Sequence, residues 1–393
     1  MCCFSFFRDF KGGNLMKTLG LYIHIPFCES KCYYCDFLSF DNKLDKVNKY
    51  IDSLCIHILN QKHEINKVGI TTIFIGGGTP SMLDIGQLTK LLTCLHENID
   101  MKQLKEFTIE CNPNSITTDK IKLFKDYGVN RISLGLQAWQ NGLLKNIGRI
   151  HTQKDFIDAY YNLRNEGFDN INVDIMFSLP NQTMKMLEET IKNIVKFDIN
   201  HISCYGLTIE ANTRMAKMYE NGEYTFPDEI LDRDMYHYIC DFLISNGYKH
   251  YEISNFAKAS YECMHNLIYW ELDDYIGLGL GAHSYYKDKR YHNAERLDIY
   301  QDEALNNDFK KYDIQNIDLK SKYEEYMFLG LRKIDGIDIY EFEKKFKVKV
   351  FDIYQNKVES LISQGLIDYS NHNIKLTKKG IDLSNYVFIN FLL

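Results

Sequence analysis

Six apolar, β-prone runs recur between helix-like segments in the first half of this chain, and that alternation constrains its fold more than any other feature. The runs cover residues 21–25, 72–75, 107–111, 131–136, 171–177 and 201–207. Between them, apolar residues return every three or four positions, as in Ile85, Leu88, Leu91, Leu92 and Leu95, or Met184, Leu187, Ile191 and Ile194. Gly128, after Phe124 and Tyr127, marks a helix stop. Strands alternating with helices build a parallel sheet with helices packed outside it. Six units over roughly 190 residues predict an α/β fold with a partial, open (β/α)6 barrel rather than a complete eight-unit one. Ligands of such sheets sit beyond the carboxyl ends of the strands. Polar or glycine-rich groups follow several runs: a cysteine loop after Ile25, Gly76 to Thr79 after Ile75, Glu110 at the end of the third, and Gln137 after Leu136. Asp174 lies inside the fifth run, where a charge is costly unless it is paired or faces a ligand.

The cysteine loop carries the most specific chemistry. Cys28, Cys32 and Cys35 form a C-x3-C-x2-C pattern after Tyr22-Ile-His-Ile-Pro-Phe. Three thiolates on a short loop suit three irons of a cubane cluster and leave the fourth iron open to a small molecule. A closed zinc site wants four ligands, and no fourth Cys or His stands at the usual spacing, since His24 precedes the loop on the strand.

Composition narrows the class. A net charge of −7 gives no sign of nucleic acid as the main partner, and no apolar run reaches membrane-spanning length. A transient peripheral membrane contact stays open. The 11 cysteines are odd in number; apart from the loop and the Cys2-Cys3 pair they are scattered singly, as buried thiols of a reducing cytoplasm are. The first residues lack the basic start and long apolar core of a signal peptide. Met16 is a plausible start, so residues 1–15 are expected to be a loose or misannotated extension.

Four segments are expected: that extension, a barrel over 16–235, a barrel extension over 236–310, and a C-terminal unit over 311–393. The third holds His265-Asn-Leu-Ile-Tyr269-Trp270 and the run from Gly277 to His283. The last reads as short helices ending in two strands around a turn, a small winged-helix-like α+β unit. Its 13 Lys and Arg against 12 Asp and Glu suit packing or a lid rather than DNA binding.

The cysteine loop, with an aromatic before its third thiol, resembles the radical S-adenosylmethionine (SAM) superfamily. The longer string Tyr-Ile-His-Ile-Pro-Phe-Cys resembles the branch that joins oxygen-independent coproporphyrinogen dehydrogenases with the heme chaperones called HemW, and the likeness covers nearly all of the chain from Met16. It implies a [4Fe–4S] cluster on Cys28, Cys32 and Cys35, with SAM on the open iron. It also implies SAM contacts from Tyr22, Tyr34, Gly77, Gly78, Thr79, Glu110, Gln137, Arg149 and Asp174, the glycine run receiving the methionine amino group. From the residues alone, Arg149 reads equally as a solvated helix arginine, and His24 as a satisfied core histidine.

Two departures favour the chaperone side of that branch. The dehydrogenases continue the motif to a further Cys, where this chain has Phe37, and they carry a longer N-terminal region. The H-N-x-x-Y-W string is associated with the chaperones. A histidine among aromatics suits heme, since imidazole ligates iron and rings cover the porphyrin. His265 is therefore the expected heme ligand, with Cys263 a nearby competitor. The resemblance implies heme binding and transfer to an acceptor protein, flavodoxin or ferredoxin as electron donor, and no assigned catalytic residue. The alternatives are oxidative decarboxylation of coproporphyrinogen III in porphyrin biosynthesis and a zinc-stabilised binding module.

Overall fold

The computed structural model describes residues 19–393. The extension expected over 1–15, the start at Met16 and the Cys2-Cys3 pair lie outside the described residues.

All six expected runs are strands: β1 (Leu19–Ile25), β2 (Thr72–Gly77), β3 (Glu106–Cys111), β4 (Arg131–Gln137), β5 (Ile171–Phe177) and β6 (His201–Gly206). They lie side by side in chain order, each parallel to the next, with registers such as Gly20 opposite Thr72 and Glu110 opposite Ser133. Helices return the chain between strands, including Val47–Val68, Ile85–Asn98, Thr118–Asp126, Gln153–Asn165 and Met184–Val195. Several begin where a side chain caps the first turn: Asp84 and Thr152 form capping boxes with Gln87 and Asp155. Gly128 follows the helix Thr118–Asp126 at φ 80°, a backbone turn that suits glycine.

The sheet continues at both edges. β7 (Lys249–Glu252) and β8 (Asn255–Ala257) extend it beyond β6, with β8 antiparallel to β6. β9 (Asp274–Leu278) joins β1 in parallel, and β10 (His283–Tyr286), β11 (Lys289–His292) and β12 (Tyr312–Asn316) follow antiparallel. The result is an open barrel of six parallel units inside a 12-stranded sheet. β12 lies in the stretch expected to open the C-terminal unit. It pairs instead with β11 of the large sheet, so the second fold begins after it.

The winged-helix-like unit is present. The helix Leu319–Gly330 leads to β13 (Ile337–Asp338), the helices Ile339–Phe346 and Val350–Ser363, then β14 (Ile367–Ser370) and β15 (Asn373–Leu376) in a separate three-stranded sheet. It has its own core around Met327, Phe342, Val350, Tyr354 and Leu361. Backbone hydrogen bonds from Ile253 to Arg332 and from Ile334 to Tyr251 tie it to the barrel extension.

A parallel sheet covered on both faces should be apolar throughout. In β1, β3 and β5 one residue each is less than fully buried: Tyr22, Glu110 and Asp174. All three are polar and line interior cavities.

Candidate cofactor and ligand site

The cysteine loop leaves the carboxyl end of β1 and is held there by backbone pairing. Cys28 N donates to the Phe40 carbonyl at 3.0 Å, and Phe40 N to that of Pro26 at 2.9 Å. Lys31 Nζ reaches the carbonyls of Phe37 and Ser39 across the loop. Tyr33 bonds through its backbone to Ile147 and Met215.

Two of the three sulfurs join one hydrogen-bond chain. Thr79 Oγ1 donates to Cys28 Sγ at 3.5 Å and accepts from Asn112 Nδ2 at 3.3 Å. Asn112 Oδ1 accepts from Arg149 Nη2 at 2.7 Å, and Arg149 Nη1 points at Cys32 Sγ from 3.5 Å. Arg149 also donates to the Gly135 carbonyl at 2.7 Å, so it is a bound interior cation, not a solvated helix arginine. Asn112 was no expected site residue; its only signal is its place just past Glu110 at a strand end. Burial raises the Cys28 thiol, and pushes Cys35 up to about 11. Among the described residues, no three His, Cys, Asp or Glu side chains gather about a single ion. The donor set itself, three thiols on one loop with N–H and O–H groups directed at sulfur, fits an iron–sulfur cluster.

The glycine run lies under the loop, with its amide hydrogens turned inward. Gly77 N donates to Glu110 Oε2 at 3.1 Å, Gly78 N to the Ile25 carbonyl at 2.8 Å, and Thr79 N to that of Phe27 at 2.8 Å. These bonds lock β2 to the cysteine loop and to Glu110. A Cβ on Gly78 would stand 2.6 Å from the Phe27 carbonyl oxygen, which requires glycine there.

Glu110 faces a cavity of about 680 Å³ that also touches Tyr22, His24 and Gly77. Burial, with Asp174 nearby, pushes its carboxyl up to about 8 against the opposing Gly77 hydrogen bond. Tyr22 and His24, two residues apart on β1, share one strand face, and Tyr22 OH lies 3.0 Å from His24 Nδ1. Asp174 accepts from Asn172 Nδ2 at 2.8 Å and Ser133 Oγ at 3.3 Å, in a smaller polar cavity of about 190 Å³ that shares Tyr22, Glu110 and Tyr269. Burial raises its carboxyl pKa. Gln137 ends β4 at φ 69°, a strained conformation for a residue with a side chain, and its amide lies against Gly135 beside Arg149. Tyr34 packs with Leu143, Leu144 and Ile147, and burial raises its hydroxyl pKa.

The H-N-x-x-Y-W string forms the helix Met264–Trp270, whose first amides are capped by Glu106. His265 sits at the amino end of the barrel. Its Nδ1 lies 2.7 Å from Thr72 Oγ1 and its Nε2 2.8 Å from Tyr269 OH. The residue is 1% exposed. Both ring nitrogens of His265, the expected heme ligand, are thus hydrogen-bonded in this structure. Cys263 is fully buried against Glu106, its thiol pushed up to about 12. Tyr269 and Trp270 do reach the large cavity.

The Radical SAM superfamily model matches residues 22–194, and the HemN C-terminal domain model residues 317–383. The fold agrees: coproporphyrinogen III oxidase (HemN) from Escherichia coli, a radical SAM enzyme, superposes with a TM-score of 0.83 at 21% identity, covering 96% of this chain and 90% of that one. The open barrel and its cysteine loop thus define a radical SAM protein. Heme chaperone HemW of Lactococcus lactis is 40% identical over 96% of this chain and 98% of its own length, and that of Bacillus subtilis 37% over 94% and 98%. This chain belongs to the HemW family of heme chaperones. Membership in the superfamily implies a [4Fe–4S] cluster and SAM.

Proposed function

We propose that this chain binds heme in the large cavity and passes it to an acceptor protein, while Cys28, Cys32 and Cys35 hold a [4Fe–4S] cluster with exchangeable SAM. The observation that carries this reading is one continuous space. The cavity of about 680 Å³ runs from Gly77 and Glu110 to a wall of Tyr269, Trp270, Tyr275 and Tyr285. Its size and aromatic lining suit a flat cofactor-sized ligand. When bound and reduced, such a cluster supplies an electron to the SAM sulfonium.

The chain's own residues divide the remaining work. Thr79 and Arg149 direct hydrogen bonds at the loop sulfurs and orient them. Glu110, Tyr22 and the glycine run bound the space where SAM would meet its neighbour, with Gly78 keeping the backbone close. Gln137 and Tyr34 pack behind the cysteine loop near Gly135 and Leu144, and the Asp174 carboxylate raises the pKa of Glu110. Cys32 and Cys35 also border an outer cleft of about 650 Å³ beside Lys31 and Arg214, a route for electrons from flavodoxin or ferredoxin. Among the described residues no helix is long and apolar enough to cross a membrane. Heme exchange would take place in the cytoplasm, with any membrane contact peripheral.

Anaerobic reconstitution followed by heme titration tests the reading, with iron and sulfide measured on the same sample. Saturable heme binding by a protein carrying about four irons supports it. Protoporphyrinogen formed from coproporphyrinogen III with SAM and reductant would replace it with the dehydrogenase reading.

A further inference from the structure

We propose that heme iron bound in the large cavity takes His283 as its axial ligand. This rests on the heme reading above and assigns the residue that would hold the metal.

The cavity offers few donors to iron. Its wall contains two imidazoles, His24 and His283. His24 is spent, with Nδ1 3.0 Å from Tyr22 OH and Nε2 2.9 Å from the Leu38 carbonyl. His265, outside that wall, is spent in the same way. His283 is exposed, and neither of its ring nitrogens has a hydrogen-bond partner among the described residues. Its ring packs 5.2 Å from that of His292, which is itself engaged by Asp313 and the Asn293 carbonyl.

The run from Gly277 to Ala282 explains how that imidazole reaches the mouth. It turns the chain from β9 into β10 with Gly279 at φ 103° and Gly281 at φ 64°. A Cβ on Gly277 would meet the His283 carbonyl oxygen at 2.2 Å, and one on Gly281 would strike Leu38 at 2.4 Å. The turn therefore closes tightly and leaves His283 as the first residue of β10, at the cavity. Burial and the neighbouring His292 lower its pKa, which keeps the imidazole neutral and its lone pair available near pH 7. Tyr285 and Trp270 supply ring faces from other parts of the wall. Among the described residues, the wall also carries Asp36, Glu110 and Glu295, with Asp273 paired to Lys345 and one cation, Arg290, itself paired with Glu325. Such a lining favours the cationic ferric core and leaves the propionates to solvent.

The test is a ferric heme titration of the full-length, cluster-reconstituted protein, followed in the Soret region, with excess apomyoglobin as a sink for release. His283→Ala should lose the histidine-ligated band and release heme at least tenfold faster, and free imidazole should restore the band. His265→Ala should keep the wild-type spectrum. The assignment fails if His283→Ala retains both spectrum and release rate, or if His265→Ala alone loses the band. A wild-type protein that binds no heme would defeat the proposed function itself, and the ligand assignment with it.

Discussion

Arg149 reaches from the turn after the short helix Asn141–Asn146 to place Nη1 3.5 Å from the sulfur of Cys32, while its other nitrogen bonds Asn112 and the Gly135 carbonyl. The guanidinium thus couples the cysteine loop to the carboxyl ends of two strands. Its planar fork makes this three-way contact, which a lysine ammonium lacks the geometry to copy. Removing it in Arg149→Met leaves the Asn112 oxygen without that donor and withdraws a positive charge from the thiol. The expected cost is about 1–3 kcal/mol of stability, the usual range for an orphaned buried polar group. The cluster midpoint should also move to a more negative potential. Thermal melts and anaerobic voltammetry check the two effects, and Arg149→Lys should recover part of the second only.

Glu110 gives a pH signature. Its carboxyl titrates near 8 in the folded chain against an ordinary 4.5, because burial and Asp174 outweigh the Gly77 hydrogen bond. Between those values the folded state holds a proton that the unfolded state has released. Stability therefore falls as pH rises from about 4.5 to 8, by at most about 1.4 kcal/mol per unit. Glu110→Gln removes this slope and can still accept from Gly77. Urea midpoints measured from pH 5 to pH 8.5 should decline less in the variant; parallel curves would contradict the assignment.

The sequence made much of this site readable. A phenol and two carboxylates inside apolar runs identify Tyr22, Glu110 and Asp174 as inward-facing, since a buried strand tolerates such groups only beside a cavity or a partner. The six strands were equally legible from their spacing. Asn112 was not, because its role depends on Thr79 and Arg149, 33 and 37 residues away. The aromatic string beside His265 points toward heme but does not tell which end of the barrel the imidazole faces; pairing with Thr72 decides that. The direction of the amides from Gly77 to Thr79 is likewise set by β1 and the cysteine loop, and pattern alone cannot give it.

Gly78 tests the lock between β2 and that loop. An alanine methyl would meet backbone atoms of Phe27 and Ile25 at 2.6 to 2.9 Å, and backbone cannot swing aside as a side-chain end can. Gly78→Ala should lower stability by about 1–3 kcal/mol, as overpacking does. Iron retained after anaerobic reconstitution should fall with it, because the strain bears directly on the residue before Cys28. Gly142→Ala, at a position where an added Cβ meets nothing within 4 Å, is the matched control.

The last prediction separates the two halves of the site. Cys32 lies in the loop beside Arg149, whereas the large cavity is bordered by Phe37 and Leu38 further along that loop and by Trp270 and His283 beyond. Cys32→Ser removes one of three thiolates while leaving a hydroxyl of similar shape for Arg149. Cluster absorbance should be lost, since two sulfurs hold a cubane poorly. Heme affinity should stay within about threefold of wild type, less than 1 kcal/mol, because no aromatic or histidine of the cavity is altered. Parallel loss of heme binding would mean that the cluster orders the cavity wall, and that Phe37 and Leu38 transmit the change.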